Sequence, residues 1–441
     1  MVRIRFITAL LAVALVAAAG PQKSWQEHMD SGEWLFAHGE TARAEAEFRA
    51  ALKIAGSFPR GDRRLEATLL ELGRLYEHGQ RWDEAQPLYD LLLAAVEARA
   101  GASSPDLLDP LAALGRVALA AGDVPTARAA LERYAAIAAT AEHVDPDQHW
   151  LMLATLARME VLAGEDAAAL EHQREAVALL DESTATAAEK AIALETLARL
   201  ELTAGSPERA QAALLRAATI AGEDEEGQVR PPAILARGAL GALNAGEGGV
   251  AAELARRCLE MDPTPEDRLD AQRALAGAAW LAIRRISPDL SALWATGAGR
   301  PEVDTAIRRL AELSGLLSDA GAPLSERIRT LEHLAAAEVM AGDTTGALEA
   351  LDRLLVLQRE AGDHAAELTT LRNRVGVLQA AGRTAEALEA NTLLLTSLEA
   401  SRGQDDPALL PDLLRQEELL RAAGRKREAR KIKKRIRRLS R

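Results

Sequence analysis

The chain has 441 residues, with 66 Asp plus Glu against 53 Lys plus Arg, 48% hydrophobic residues, 3% aromatics and a single cysteine. This length leaves room for two or three domains, and apolar residues spread along the whole chain exclude long disorder. The one thiol, Cys258, excludes an intramolecular disulfide framework and any zinc or iron–sulfur site built from several cysteines. The net charge of −13 is uneven: residues 421–441 hold twelve Lys or Arg and one acid, Glu428, so the remainder carries about −24. Such a body repels nucleic acid and anionic lipid at long range and leaves the tail as the place where polyanions could be met.

In chain order, Arg3 and Arg5 precede an apolar run from Phe6 to Ala19, with Ala17 and Ala19 standing where a signal peptidase cleaves before Gly20. Fourteen apolar residues make a helix of about 21 Å, shorter than a hydrocarbon core of about 30 Å, and Pro21 blocks its extension. Residues 1–19 are therefore expected to be a secretory signal peptide cleaved near Ala19. The mature chain would be an exported, soluble protein of a periplasm or the medium. Pro21 stands where a lipoprotein would need Cys.

From residue 24 onward one unit recurs. A Gly is followed five or six residues later by Ala at Gly39 and Ala44, Gly79 and Ala85, Gly122 and Ala127, Gly164 and Ala169, Gly205 and Ala210, Gly246 and Ala251, Gly342 and Ala347, Gly382 and Ala387, and Gly424 and Ala429. Most successive Gly lie 40 to 43 residues apart, each between two stretches of helical periodicity. Leu69, Leu72, Leu75 and Tyr76 precede Gly79, for example, and Ala85, Leu88, Tyr89 and Leu92 follow it. The unit is a helical hairpin: Gly permits a left-handed turn, and Ala lets the second helix lie close against the first. The interval from Gly246 to Gly342 is 96 residues, 14 more than two steps of 41. Helical patterns at Glu266 to Ile286 and Pro301 to Ser318 flank Ser287 to Arg300, so an insertion containing Trp294 is expected to replace the seventh turn. The expected plan is thus 20–286 for six repeats and the first helix of the seventh, 287–300 for the insertion, and 301–441 for the second helix of the seventh and repeats eight to ten.

The second copy, with Leu69, Leu72, Gly73, Tyr76, Ala85 and Tyr89, resembles the tetratricopeptide repeat nearly position for position. A period near 41 is similar to the longer variety of kinesin light chains and many bacterial proteins. The resemblance covers residues 24–441 in about ten copies and implies an all-α, right-handed α-solenoid that binds proteins or peptides along a concave surface lined by first helices. Later copies depart from the family in losing their aromatics, and the first has His28 where a large apolar residue is common.

The chain holds no Walker loop, GxSxG elbow, HExxH or EF-hand spacing, so no catalytic, cofactor or metal residue is assigned. An enzyme with an unrecognised site in the insertion or the seventh repeat stays open as a lesser alternative. His38 and His78, just before turn glycines, suit helix C-termini, and Cys258 falls where earlier copies have Ala176 and Ala217. Arg74, Arg116, Arg158 and Arg199 recur at steps of 42, 42 and 41. Cations at comparable places in tetratricopeptide proteins bind acidic peptide tails, so the resemblance implies a ladder of donors for carboxylates. Glu33 stands there in the first repeat, and Leu240, Ala336 and Val377 in the sixth, eighth and ninth. The plain alternative is that these arginines pair with nearby Glu71, Glu160 or Glu201. Phe36 and Trp34 are candidates to reach the groove or cap the N-terminal end. In the tail, Ala429, Ile432, Ile436 and Leu439 form the narrow apolar seam of a helix. Lys431, Lys433, Lys434, Arg435, Arg437 and Arg438 are expected on or beside its solvent face, as a solubilising cap or as a contact for an acidic partner, an anionic membrane surface or a second copy. Nucleic acid fits an exported protein poorly.

Overall fold

The computed structural model describes residues 23–224, 227–286 and 300–440. The leader expected at 1–19 lies outside these residues, as does the insertion expected at 287–300 with Trp294, apart from Arg300. The described residues are all-α: twenty α-helices in ten successive pairs, with no strand among them. The chain divides into two compact units, Met1–Thr186 and Ala187–Arg441.

The first unit holds four hairpins: α1 (Trp25–Ala37) with α2 (Thr41–Ala55), α3 (Arg63–His78) with α4 (Trp82–Ala100), α5 (Leu108–Ala121) with α6 (Val124–Ala138), and α7 (Pro146–Ala163) with α8 (Asp166–Ala178). The second holds six: α9 (Ala187–Thr203) with α10 (Pro207–Gly222), α11 (Pro231–Asn244) with α12 (Gly248–Glu260), α13 (Pro265–Ile286) with α14 (Arg300–Asp319), α15 (Leu324–Ala341) with α16 (Thr344–Glu360), α17 (His364–Ala380) with α18 (Thr384–Arg402), and α19 (Leu410–Ala422) with α20 (Lys426–Leu439). Helix starts follow local chemistry. Ser24 and Glu27 form a capping box at α1, and the Asp62 and Asp145 side chains accept backbone N–H groups at α3 and α7. Pro146, Pro207 and Pro231 occupy the first turns of their helices, where no N–H is required.

Nine hairpins share one turn. Gly39, Gly122, Gly164, Gly205, Gly246, Gly342, Gly382 and Gly424 adopt φ between 71° and 82°. The residue after each donates its N–H to the carbonyl five positions back, at 2.8–2.9 Å, as in Asp123 to Ala118 and Arg425 to Leu420. The second hairpin departs from expectation: Gly79 has φ −80°, and Gln80 takes the left-handed conformation at φ 56°. The reason lies in the crossing. Ala85 is five residues past Gln80, as Ala44 is past Gly39, so the packing register overrides the cost of a side chain in the left-handed region.

The crossing itself is tight. Ala44, Ala85, Ala127, Ala169, Ala210, Ala251, Ala347 and Ala387 are all fully buried, and Ala429 nearly so. In the first three hairpins a glycine on the first helix faces a large residue on the second: a Cβ on Gly32 would meet Phe48 at 2.6 Å, one on Gly73 would meet Tyr89 at 2.9 Å, and one on Gly115 would meet Leu131 at 2.9 Å. Side chains one period apart then stitch neighbouring hairpins. Arg81 reaches Glu45 at 2.6 Å, Arg99 reaches Glu66 at 2.7 Å, Arg230 reaches Asp267 at 2.8 Å and Arg372 reaches Asp412 at 2.8 Å.

Ala127→Leu and Ala169→Leu should each lower stability by about 1–3 kcal/mol through overpacking, whereas Leu162→Ala, at a residue 84% exposed, should stay within about 0.5 kcal/mol. Urea denaturation of the three variants reads this directly, and unchanged midpoints for both leucine variants would break the register.

Candidate functional site

The recurring arginines each stand six residues before the left-handed turn residue, Gln80, Gly122, Gly164 or Gly205, and so share one place on a first helix. Two are engaged. Arg74 donates to Glu71 one turn back at 2.9 Å, and Arg116 reaches Glu77 of the preceding hairpin at 3.2 Å, where Glu77 also accepts the Tyr89 hydroxyl at 2.9 Å. Arg158 and Arg199 are exposed, and among the described residues neither has an acid within ion-pair distance. Arg158 belongs to the first unit, with Arg74 and Arg116, and Arg199 to the second. Counted from Gly382, the same place in the ninth hairpin is Gly376 and not Val377, because the turn residue sets the count.

Arg199 opens onto a groove of about 790 Å³ between α9 and α11. Its lining is largely apolar, with Ala198, Gly241 and Ala245 beside Ile192 and Leu202, while Leu214 fills the space at Gly238. Arg237 lines the other side and is held by Glu195 at 2.8 Å, so one cation is fixed and one is unpaired. A forked donor without its own carboxylate beside an apolar floor suits an acidic side chain carried on a partner.

Phe36 is half-buried against the first unit's core, with its ring edge-on to His78 at 5.4 Å, so its role there is packing. Trp34 is the exposed aromatic of this end, stacked on His38 at 4.0 Å, while His38 Nδ1 bonds the Trp34 carbonyl at 2.7 Å.

The basic tail is an ordered helix. Ala429 is buried, and Ile432, Ile436 and Leu439 pack on Leu394, Leu398, Leu409 and Leu413. Arg435, expected on or beside the solvent face, is half-buried where α20 docks, whereas Arg438 is exposed and still reaches the end of α18. Arg435 bonds Glu399 at 2.5 Å and the Gln404 carbonyl at 2.7 Å, and Arg438 bonds Asp405 at 2.5 Å. Both sit on the flank of the seam that meets the end of α18, which the seam's spacing alone did not reveal. Lys431 and Lys434 are exposed and, among the described residues, without an acid partner, as are Lys433, Arg430 and Arg437.

A second groove, of about 890 Å³, lies over α15, α17 and α19 and was not anticipated. Arg372 on its wall donates to Asp412, whose side chain is 3% exposed. Behind it, the Asn391 amide bonds the Asp412 carbonyl at 3.0 Å and Gln416 at 2.6 Å. The sequence signal was available: Asn391 stands nine residues past its turn glycine, where Phe48 and Leu131 stand in other hairpins.

Cys258 is fully buried, with Sγ 3.3 Å from the Pro232 carbonyl, and burial pushes its thiol up to about 11. That makes it a packing residue rather than a nucleophile. Among the described residues no three His, Cys, Asp or Glu converge as a metal site, and no helix is long and apolar enough to cross a membrane.

With this geometry in place, residues 64–140 match the family model of the tetratricopeptide repeat. Several solved structures are similar. A putative kinesin light chain with nearly identical TPR-like repeats from Podosopora anserina is 21% identical, over 45% of this chain and 94% of that one, with a TM-score of 0.36. A tetratricopeptide repeat protein from Parabacteroides merdae is 13% identical over 71% and 98%, with a TM-score of 0.37. The C-terminal part of a TPR repeat-containing protein from Cytophaga hutchinsonii is 16% identical over 65% and 94%, with a TM-score of 0.34. No curated protein matches the chain.

One buried carboxylate gives the chain a pH signature. Glu338 is 8% exposed, its Oε2 has no hydrogen-bond partner, and burial first, then Asp343 and Glu349, pushes its carboxyl from 4.5 up to about 7 against the pull of Arg353. Between those values the folded chain holds a proton that the unfolded chain has released. Stability therefore falls as pH rises through this window, and the loss is complete above it. Glu338→Gln should raise stability at pH 8 by about 1–3 kcal/mol and bring little gain at pH 4.5. Urea denaturation at both pH values measures the difference, and an equal gain at each would refute the assignment.

Proposed function

We propose that this chain is an exported, non-enzymatic scaffold that binds partner proteins or peptides along the faces of its first helices. Tetratricopeptide repeats generally mediate protein–protein interaction, and the match over residues 64–140 supports that coarse role. Export is supported by Arg3, Arg5 and the apolar run to Ala19. The observation that carries the binding reading is the groove at Arg199 between two first helices, an exposed guanidinium with no acid within ion-pair distance among the described residues, beside a largely apolar lining. Each hairpin adds a similar strip of face, so recognition comes from many modest contacts rather than one deep site. An acidic partner segment fits best at Arg199, which among the described residues has no acid within ion-pair distance; within the first unit Arg158 is in the same state, while Arg74 and Arg116 have acids.

A second reading rests on α20. Its docked seam leaves Lys431, Lys434, Arg430 and Arg437 outward, a cationic face that would hold an acidic partner or an anionic membrane surface in a salt-dependent way.

Replacing Arg74, Arg116, Arg158 and Arg199 by Gln should preserve helicity and weaken an acidic partner about tenfold or more. Crosslinking of the tagged chain in its native host, followed by mass spectrometry, supplies the partners. Partners that survive the Arg variant but vanish when Arg430, Lys431, Lys434 and Arg437 become Gln would move the binding surface to α20.

A further inference from the structure

The first and last hairpins each show a face that the repeat elsewhere buries. Trp34 stands five residues before its left-handed turn residue, the place of Leu75, Val117, Met159, Leu200, Ala337 and Leu419, all buried. That place looks toward the preceding hairpin: at Gly241, which holds it in hairpin six, a Cβ would meet Leu202 of α9 at 3.8 Å. Trp34 itself is 57% exposed, with one ring face stacked on His38 at 4.0 Å. The helix surface around it is acidic. Asp30 and Glu27 stand one and two turns before it on the same side of α1, and Glu33 stands beside it. All three are exposed and, among the described residues, have no cation within ion-pair distance. Lys23 and Arg43 do not offset them, being held by Glu47 at 2.9 Å and Glu40 at 2.5 Å.

The outer face of α20 has the opposite sign. In hairpin nine Asn391, Thr392 and Leu395 receive hairpin ten: Asn391 donates to the Asp412 carbonyl, Thr392 accepts from the Gln416 amide at 2.9 Å, and Leu395 packs with Leu409 and Leu413. In α20 the same places, nine, ten and thirteen residues past the turn glycine, hold Lys433, Lys434 and Arg437. All are exposed and, among the described residues, without an acid within ion-pair distance. Leu414, 52% exposed, stands ten residues before Gly424. At that place in hairpins nine and five, Arg372 and Glu195 reach Asp412 and Arg237 of the following hairpin. Three cations beside one leucine are unsuited to another apolar hairpin, and they complement a helix that carries acids beside one large aromatic. An anionic bilayer would meet the cations but leave Trp34 and the acids around it unanswered.

We propose that a second copy of this chain docks on α20. The outer face of α1 in one copy stacks on the outer face of α19 and α20 in another, as consecutive hairpins stack within the chain. Glu27, Asp30 and Glu33 meet Lys433, Lys434 and Arg437, and Trp34 covers Leu414. The two faces differ, so the contact is heterologous and each copy in a pair keeps one face for a further copy. This rests on α20 acting as a cationic docking face and names its partner as the chain itself.

Sedimentation velocity of the full chain at about 0.05 M salt should give a weight-average coefficient that rises with concentration up to about 100 μM, and about 0.5 M salt should largely abolish the rise. Charge reversal tests the pairing. Asp30→Lys with Glu33→Lys, and Lys433→Glu with Lys434→Glu and Arg437→Glu, should each weaken self-association about tenfold or more. Mixed in equal amounts, the two variants should associate again, because the new cations of one face the new acids of the other. Trp34→Ser should weaken association without altering charge. Every change falls on an exposed residue, so helicity and the unfolding midpoint should hold. A chain monomeric at every concentration overturns the proposal, whatever covers Trp34 instead, as do reversed variants that fail to rescue each other. A monomer that binds phosphatidylglycerol vesicles, and ceases to after reversal of the α20 cations, keeps α20 as a cationic face and overturns its docking on a second copy.

Discussion

The structure depends on one approach distance, that of the two helices of a hairpin where the second begins. Five residues past the left-handed residue of nine hairpin turns stands a buried alanine. Gln80 shows which of the two is in command. Where glycine sits one position early, the backbone takes the strained conformation at the next residue rather than let Ala85 move off the crossing. Small residues at the contact also decide what lies further along it. Gly32, Gly73 and Gly115 make the holes that Phe48, Tyr89 and Leu131 fill, so a large residue is tolerated on one helix only because its opposite number has no side chain.

Within a hairpin the bonds are local, and between hairpins they recur at about one period. Exposed pairs such as Arg116 with Glu77 contribute little free energy each, so cohesion comes from the buried alanine and leucine surface while the charged pairs set which side chains meet. Arg372 with Asp412 differs. Its carboxylate is out of water, and removing Arg372 would leave that buried charge with no compensation. An arginine on a repeat surface is therefore not a binding residue by position alone. Arg435 bonds the end of α18, and Arg74 and Arg116 already have acids, whereas among the described residues Arg158 and Arg199 have none within ion-pair distance.

The helices, the turns and the crossing alanines were legible because each is dictated by residues within one period, repeated nine times. The site was legible only in part. Equal spacing placed Arg74, Arg116, Arg158 and Arg199 on one kind of face, yet the acids that occupy two of them come partly from another hairpin, and pairing across hairpins leaves no mark in local periodicity. Arg435 was misplaced for the same reason: Glu399 lies 36 residues away and belongs to the surface that α20 covers. Gln358, Asn391 and Gln416 did leave a mark, since they fall on core positions of the repeat. Reading it requires a register accurate to one residue, and the register is easily lost by one, as Val377 in place of Gly376 demonstrates.

Polar residues at core positions of a repeat fold are not all of one kind, and burial with partnering sorts them. Thr68 accepts from the Trp25 indole and donates to the Arg64 carbonyl, which closes its account inside the first unit. Glu338 is buried at the turn of hairpin eight with one oxygen unmet, and the fold tolerates it by holding a proton near neutral pH. Gln358 has no such escape, because an amide cannot be silenced by protonation at any pH the fold survives. Hairpins eight to ten differ from the first three in this respect. The early hairpins fill their crossings with Phe48, Tyr89 and Leu131, and the late ones carry the amides of Asn391 and Gln416 and the buried carboxylate of Asp412 behind the groove over α15, α17 and α19.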